Sequence, residues 1–189
     1  GLPRYTARPD FALPETLKWN PASFDRQVAP ESVGQSLAAK SLYIQADTSA
    51  EGKKLREILL TSAVNEFQTL LPLLELAGEK GSSHMPALLK LEGDKWTPVN
   101  SSSQLYGQIS LIQGLAQLHA LLSLPILENE AVEGKRVPEW RKEVRRTLDK
   151  VYQTTTKLHL DSKTGSLVSS HDRAKGASDR LWAEDAGYI

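Results

Sequence analysis

The sequence predicts an all-α protein of antiparallel helical hairpins, with small β-hairpin insertions between the helices. Two observations carry this. Residues 96–127, WTPVNSSSQLYGQISLIQGLAQLHALLSLPIL, contain no Lys, Arg, Asp or Glu. Their helical centre, about 103–124, is apolar on every side: Leu105, Ile109, Ile112 and Ala116 on one face, Leu111, Leu118 and Leu122 on another. A helix apolar all round is buried all round. Gln104, Gln108, Gln113, Gln117, Ser110 and His119 interrupt it too often for a membrane span. The segment that follows, from Pro138, is apolar on one face and charged on the others, so a dry helix is succeeded by one with a wet side.

Taken in order, residues 1–30 stand apart. Pro3, Pro9, Pro14, Pro21 and Pro30 make up half of the chain's 10 prolines and forbid an uninterrupted helix. Phe11, Leu13, Leu17, Trp19 and Phe24 favour an extended path across a helical body, with a flexible leader as the alternative. Residues 31–189 form the helical-hairpin domain. Its first helix spans about 31–46, with Val33, Leu37 and Ile44 on one stripe. A second starts at Thr48 in a capping box with Glu51 and ends near Ala77 before Gly78. Pro72 bends its last turn. Residues 86–99 read as two extended runs around Gly93-Asp94, a β-hairpin signal. The uncharged third helix follows, with Ser101 and Gln104 placed as a capping box, and Pro125 closes it. The fourth opens at Pro138 and lines Trp140, Val144, Leu148, Val151, Thr155 and Leu158 along one face. A turn at 161–165 and an extended piece at 166–170 lead to a fifth helix near Ser178. That helix is cut off at Ile189 without a C-cap, so the domain is expected to be truncated there.

Composition sets broad limits. The 23 basic and 23 acidic residues cancel, which argues against a nucleic-acid binder. Cysteine is absent, so disulfides, thiolate nucleophiles and Cys-held metals are excluded. The chain begins at Gly1 without Met. A cleaved export signal explains that and so does cloning, so the location is left open, with periplasmic or secreted favoured. Asn100-Ser101-Ser102 fits a glycosylation sequon, although helix capping explains it as well.

An internal echo links two helix starts. SQLYGQISLI, from Ser103, can be laid over DRLWAEDAGY, from Asp179, so that Leu105 falls on Leu181, Tyr106 on Trp182 and Gln108 on Glu184. Each segment follows a short extended stretch, and a wet-sided helix lies between them. This order of inner, outer and inner helix, the LDSKTGSL turn and the WAEDAGY helix start resemble the six-hairpin α/α toroid of glycoside hydrolases, sugar epimerases and polysaccharide lyases. The resemblance covers residues 31–189 and matches no catalytic signature. It implies that the loops entering inner helices line a cleft. In that cleft Glu184, Asp185 and Asp172 are the candidate acid/base carboxylates. His171, Arg173 and Trp182 are candidate ligand contacts beside them, and Gln104, Tyr106 and Gln108 are the equivalent positions on the earlier inner helix. A structural role competes in each case. Acidic residues favour helix N-termini anyway, and buried amides satisfy one another.

No metal site or cofactor is expected, since His84, His119, His159 and His171 show no ligand spacing and no phosphate loop or dinucleotide fingerprint exists. Lys142, Arg146 and Lys150 recur at spacing four, but interleaved Glu143 and Asp149 point to a solvated face. Two functions compete. One is part of a toroid-like domain binding or processing a carbohydrate-like small molecule. The other is a non-catalytic helical domain for interaction or assembly within an exported complex, its partner another chain or the remainder of the protein.

Overall fold

Pro30, whose missing N–H costs nothing in a first helical turn, opens α1 (Pro30–Ala46) in a computed structural model that describes residues 26–47, 49–76, 83–172 and 176–177. Val33, Gly34, Leu37, Ala38, Ser41 and Ile44 form its buried stripe. Asp47 then leaves the helix and turns the chain, its Oδ1 accepting from the Ser49 backbone N–H at 2.9 Å and the Ser49 hydroxyl at 2.6 Å.

α2 (Lys53–Leu70) runs back along α1. The pairing is antiparallel, because Arg56 near its start meets Asp47 while Glu66 near its end meets Ser36 and Lys40. Its last turn tightens into a 3-10 helix, Leu71–Glu75. Pro72 lacks the N–H that an α-helical ladder would require there. The helix therefore starts later than the Thr48 capping box implied, and residues 77–82 lie outside the described residues.

α3 (Leu105–Leu121) lies against α1 and runs parallel to it. Gly107 faces Pro30, and Gly34 sits against the backbone of Ser110 and Gly114. A Cβ built on Gly34 would run into the Ser110 carbonyl, so this crossing needs glycine. α4 (Val137–His159) returns antiparallel to α3, with His159 at its end touching Ser103 just before α3. Phe67, Leu111, Leu115, Leu118, Val144 and Val151 are core residues drawn from α2, α3 and α4. Trp140 meets the Phe67 ring edge-on at 6.5 Å and donates from its indole nitrogen to the Val132 carbonyl.

The expected all-α body is overturned, because the connections pair into three antiparallel sheets. β1 (Gln27–Val28) joins β2 (Leu88–Glu92) and β3 (Lys95–Asn100), β2 and β3 being the hairpin turned at Gly93 with φ +61°. β4 (Ser103–Gln104) pairs with β7 (Ser170–Asp172), which pairs with β8 (Gly176–Ala177). β5 (Ala131–Val132) and β6 (Lys135–Arg136) form a hairpin around Glu133 and Gly134, both at positive φ. The physical reason is backbone satisfaction: connections packed on a helical core must place their N–H and C=O groups, and neighbouring extended runs supply the partners. β4 also displaces the Ser101–Gln104 capping box, and α3 starts without a side-chain cap.

The buried-helix expectation is corrected in detail. Leu105 and Leu118 are buried, whereas Ile109 and Ile112 are only half-buried. α3 keeps an open edge at Gln113, Ala116 and Ala120. On α4, Lys142 and Arg145 are exposed, and Arg141 is half-buried against Glu128.

Candidate functional site

Two chain segments distant in sequence meet at the entrance to α3. β4 pairs antiparallel with β7, Ser103 opposite His171 and Gln104 opposite Ser170. Side chains opposite each other share a face and successive ones alternate. Gln104, Ser170 and Asp172 therefore lie on one face, Ser103 and His171 on the other. The sheet is anchored by the Leu105 amide, which donates to the Ser169 carbonyl at 2.8 Å. Gln104 donates to the Ser102 hydroxyl at 3.0 Å. Asp172 and His171 are half-buried. Three of the residues singled out in the sequence are thus brought together: Gln104, His171 and Asp172.

Tyr106 and Gln108, on the first turn of α3, are turned to other work. The Tyr106 hydroxyl accepts from Gln35 on α1 at 3.0 Å. Gln108 is fully buried and grips the Met85 backbone twice, accepting from its N–H at 3.3 Å and donating to its carbonyl at 2.7 Å. Those bonds hold the segment ahead of β2 against α3. Arg173, Trp182, Glu184 and Asp185 lie outside the described residues, as does the fifth helix that was expected to carry the last three.

Sequence reasoning missed a polar pair behind this entrance. Ser103 Oγ lies 2.8 Å from His159 Nε2, and His159 Nδ1 lies 2.8 Å from the Val168 carbonyl. A carbonyl only accepts, so Nδ1 carries the proton, and in the neutral ring Nε2 accepts from the Ser103 hydroxyl. The spacing is that of a nucleophile and its base. With Ser103 at 1% and His159 at 0% exposure, both are closed to substrate and act as a pin between the end of α4 and the start of α3. The two are 56 residues apart in sequence, so no local motif announces them.

The second missed group is Glu66, fully buried between α1 and α2. Its Oε2 accepts from Ser36 at 3.0 Å and pairs with Lys40, while Oε1 has no hydrogen-bond partner among the described residues. Burial pushes its pKa above the usual carboxylate value, against the pull of Lys40. A signal existed here: Glu66 sits between Ala63, Phe67 and Leu70 on the apolar stripe of α2, where a charge is out of place.

At the opposite end of the helices, a groove of about 430 Å³ is lined by Ile44, Leu60, Leu124 and Leu127 with Arg56 and Glu130 among its polar groups. None of the residues predicted for a site lines it. Among the described residues no cluster of His, Asp and Glu is placed to hold a metal ion, and no helix is long and apolar enough to cross a membrane. No protein-family model, curated protein or solved structure matches this chain.

Proposed function

We propose that this chain binds a polar, carbohydrate-like ligand at the entrance to α3. The observation that carries this reading is the β4–β7 pairing, which puts the Gln104 amide and the Asp172 carboxylate on one sheet face. An amide and a carboxylate together accept and donate to the vicinal hydroxyls of a sugar. The shared direction of α1 and α3 supports it too. Both helices start at this side of the molecule, and their N-terminal ends favour acceptor groups there. The resemblance to toroid enzymes motivates the sugar-like chemistry and extends the proposal to processing, with Glu184 and Asp185 as acid and base. Calorimetric titration with mono- and oligosaccharides tests the site. Binding weakened at least tenfold in Asp172→Asn and in Gln104→Ala is expected, and failure of every sugar to bind sinks the reading. Loss of turnover in Glu184→Gln or Asp185→Asn, with binding intact, would then separate processing from binding.

The bonding of Gln108 and Tyr106 favours a second reading, a non-catalytic helical interaction domain. Polar groups of the inner helix that bind Met85 and Gln35 serve architecture and leave less for a ligand. On that reading, sugars fail to bind and Asp172→Asn changes only stability.

A further inference from the structure

The outer face of α4 carries a row of cations, and the carboxylates beside it, Glu139 excepted, are engaged elsewhere. At 100° per residue, Lys142, Arg146, Lys150 and Lys157 fall within about 80° of the helix circumference. The row is centred about 120° round the helix from the buried stripe of Trp140, Val144, Thr147, Val151 and Thr154. All of the row is exposed. Glu143 is held by Lys135 at 2.6 Å across the β6 turn, and Asp149 by Arg145 at 3.0 Å. Arg141 is paired with Glu128. Asp161 beyond the helix end accepts from the Lys163 amide and the Thr164 hydroxyl. Glu139, in the first turn ahead of the row, remains on that side. The four cations of the row make no ion pair among the described residues.

We propose that this face binds a linear acidic polysaccharide, a chain bearing a carboxylate or sulfate on successive sugar rings. From Lys142 to Lys157 the row is about 22 Å long, with Lys142, Arg146 and Lys150 about 6 Å apart and Lys157 about 10 Å farther on, a single file suited to a single file of anions. Three observations select this partner over other polyanions. Duplex nucleic acid carries a charge per about 1.7 Å of axis and calls for a broad basic field, whereas this chain has a formal net charge of zero. Single strands are held by stacking on several aromatic rings, whereas the exposed ring of α4, Tyr152, lies about 80° round the helix from the edge of the row. An anionic membrane surface retains a helix through an apolar face as well as through charge, and apart from Tyr152 no large apolar residue of α4 is exposed. The site stands on α4 alone, whether or not a ligand occupies the entrance to α3.

The test is binding of the full chain to polygalacturonate, with dextran, single-stranded DNA, polyglutamate and phosphatidylserine vesicles as parallel probes. Polygalacturonate is expected to bind best and dextran not at all. Affinity should fall about tenfold or more between 50 and 200 mM salt. The combined change Lys142→Gln, Arg146→Gln, Lys150→Gln and Lys157→Gln should reduce binding at least tenfold with an unchanged circular dichroism spectrum. Lys90→Gln with Lys95→Gln, which removes exposed cations from the β2–β3 hairpin, should leave it unchanged. If the combined variant loses its spectrum, the charge-conserving Arg146→Lys and the single Lys150→Gln change carry the test, with full retention expected for the first and partial loss for the second. Absence of binding, binding insensitive to the α4 changes, equal loss in the hairpin control, or equal or tighter binding to DNA, polyglutamate or vesicles overturns the proposal.

Discussion

Glu66 occupies a stripe position that Ala63, Phe67 and Leu70 mark as core, and among the described residues it meets there the Lys40 ammonium and the Ser36 hydroxyl. Desolvation outweighs the attraction of Lys40, so the folded state prefers this carboxyl protonated more than the unfolded chain does. Its folded pKa lies above the ordinary value of 4.5. The resulting stabilisation is therefore complete below pH 4.5 and is lost as pH rises through the folded pKa. Urea unfolding of wild type and Glu66→Gln across about pH 4–8 should show the wild type losing ground to the variant as pH rises; parallel curves would contradict this. Lys40→Met removes the ion-pair partner of the buried carboxylate and should destabilise at about pH 8 more than at about pH 5. Gln108→Leu is expected to cost about 2–4 kcal/mol in the same assay, since it strands both the N–H and the C=O of Met85. At this scale the sequence was partly legible. A charge on an apolar stripe is visible in one dimension, but its partner on another helix is not. The Gln108 amide reads equally as ligand contact and as clamp until Met85 is seen beside it.

Elements were legible where the chain signals its own turns. Pro30 and Pro138 mark the helix starts, and Gly93-Asp94 marks the β2–β3 hairpin. The β5–β6 hairpin escaped notice because Glu133 at positive φ is an unusual residue for such a turn. β4 and β7 escaped for another reason: strands of two or three residues have no period to detect, and their pairing is made by the fold. The parallel contact of α1 with α3 depends on glycines that propensity alone counts as weak points in a helix. Gly34→Ala would gain up to about 1 kcal/mol of helix propensity, yet its Cβ would enter the Ser110 carbonyl. Overpacking of this kind costs about 1–3 kcal/mol or more and cannot be relieved by a side-chain rotation, because the obstacle is backbone. Thermal unfolding should therefore show Gly34→Ala less stable than wild type. A higher melting temperature would mean that the two helices do not approach as closely as described.

At the scale of the molecule, the contrast between the uncharged third helix and the wet-sided fourth announced which helix lies inside. It was silent on how the connections pair, and so on the mixed character of the fold. The β4–β7 pairing brings Gln104, His171 and Asp172 to the start of α3, the entrance at which a ligand is proposed to bind. The shared direction of α1 and α3 is the feature on which that entrance depends, since it sets both helix starts on one side. It is open to a direct distance measurement, because a chain without cysteine accepts paired spin labels at chosen sites. Gln35, Ala46 and Ser123 are exposed and sit in the first half of α1, at its end and just past the end of α3. From Gln35 to Ala46 the axis advances about 16 Å. In the parallel pair Gly34 is level with Ser110 and Gly114, so labels at Ala46→Cys and Ser123→Cys lie close, and labels at Gln35→Cys and Ser123→Cys lie farther apart by roughly 10 Å. Antiparallel helices reverse the order. Electron–electron resonance distances in the reversed order would remove the common entrance and, with it, the ligand site proposed there.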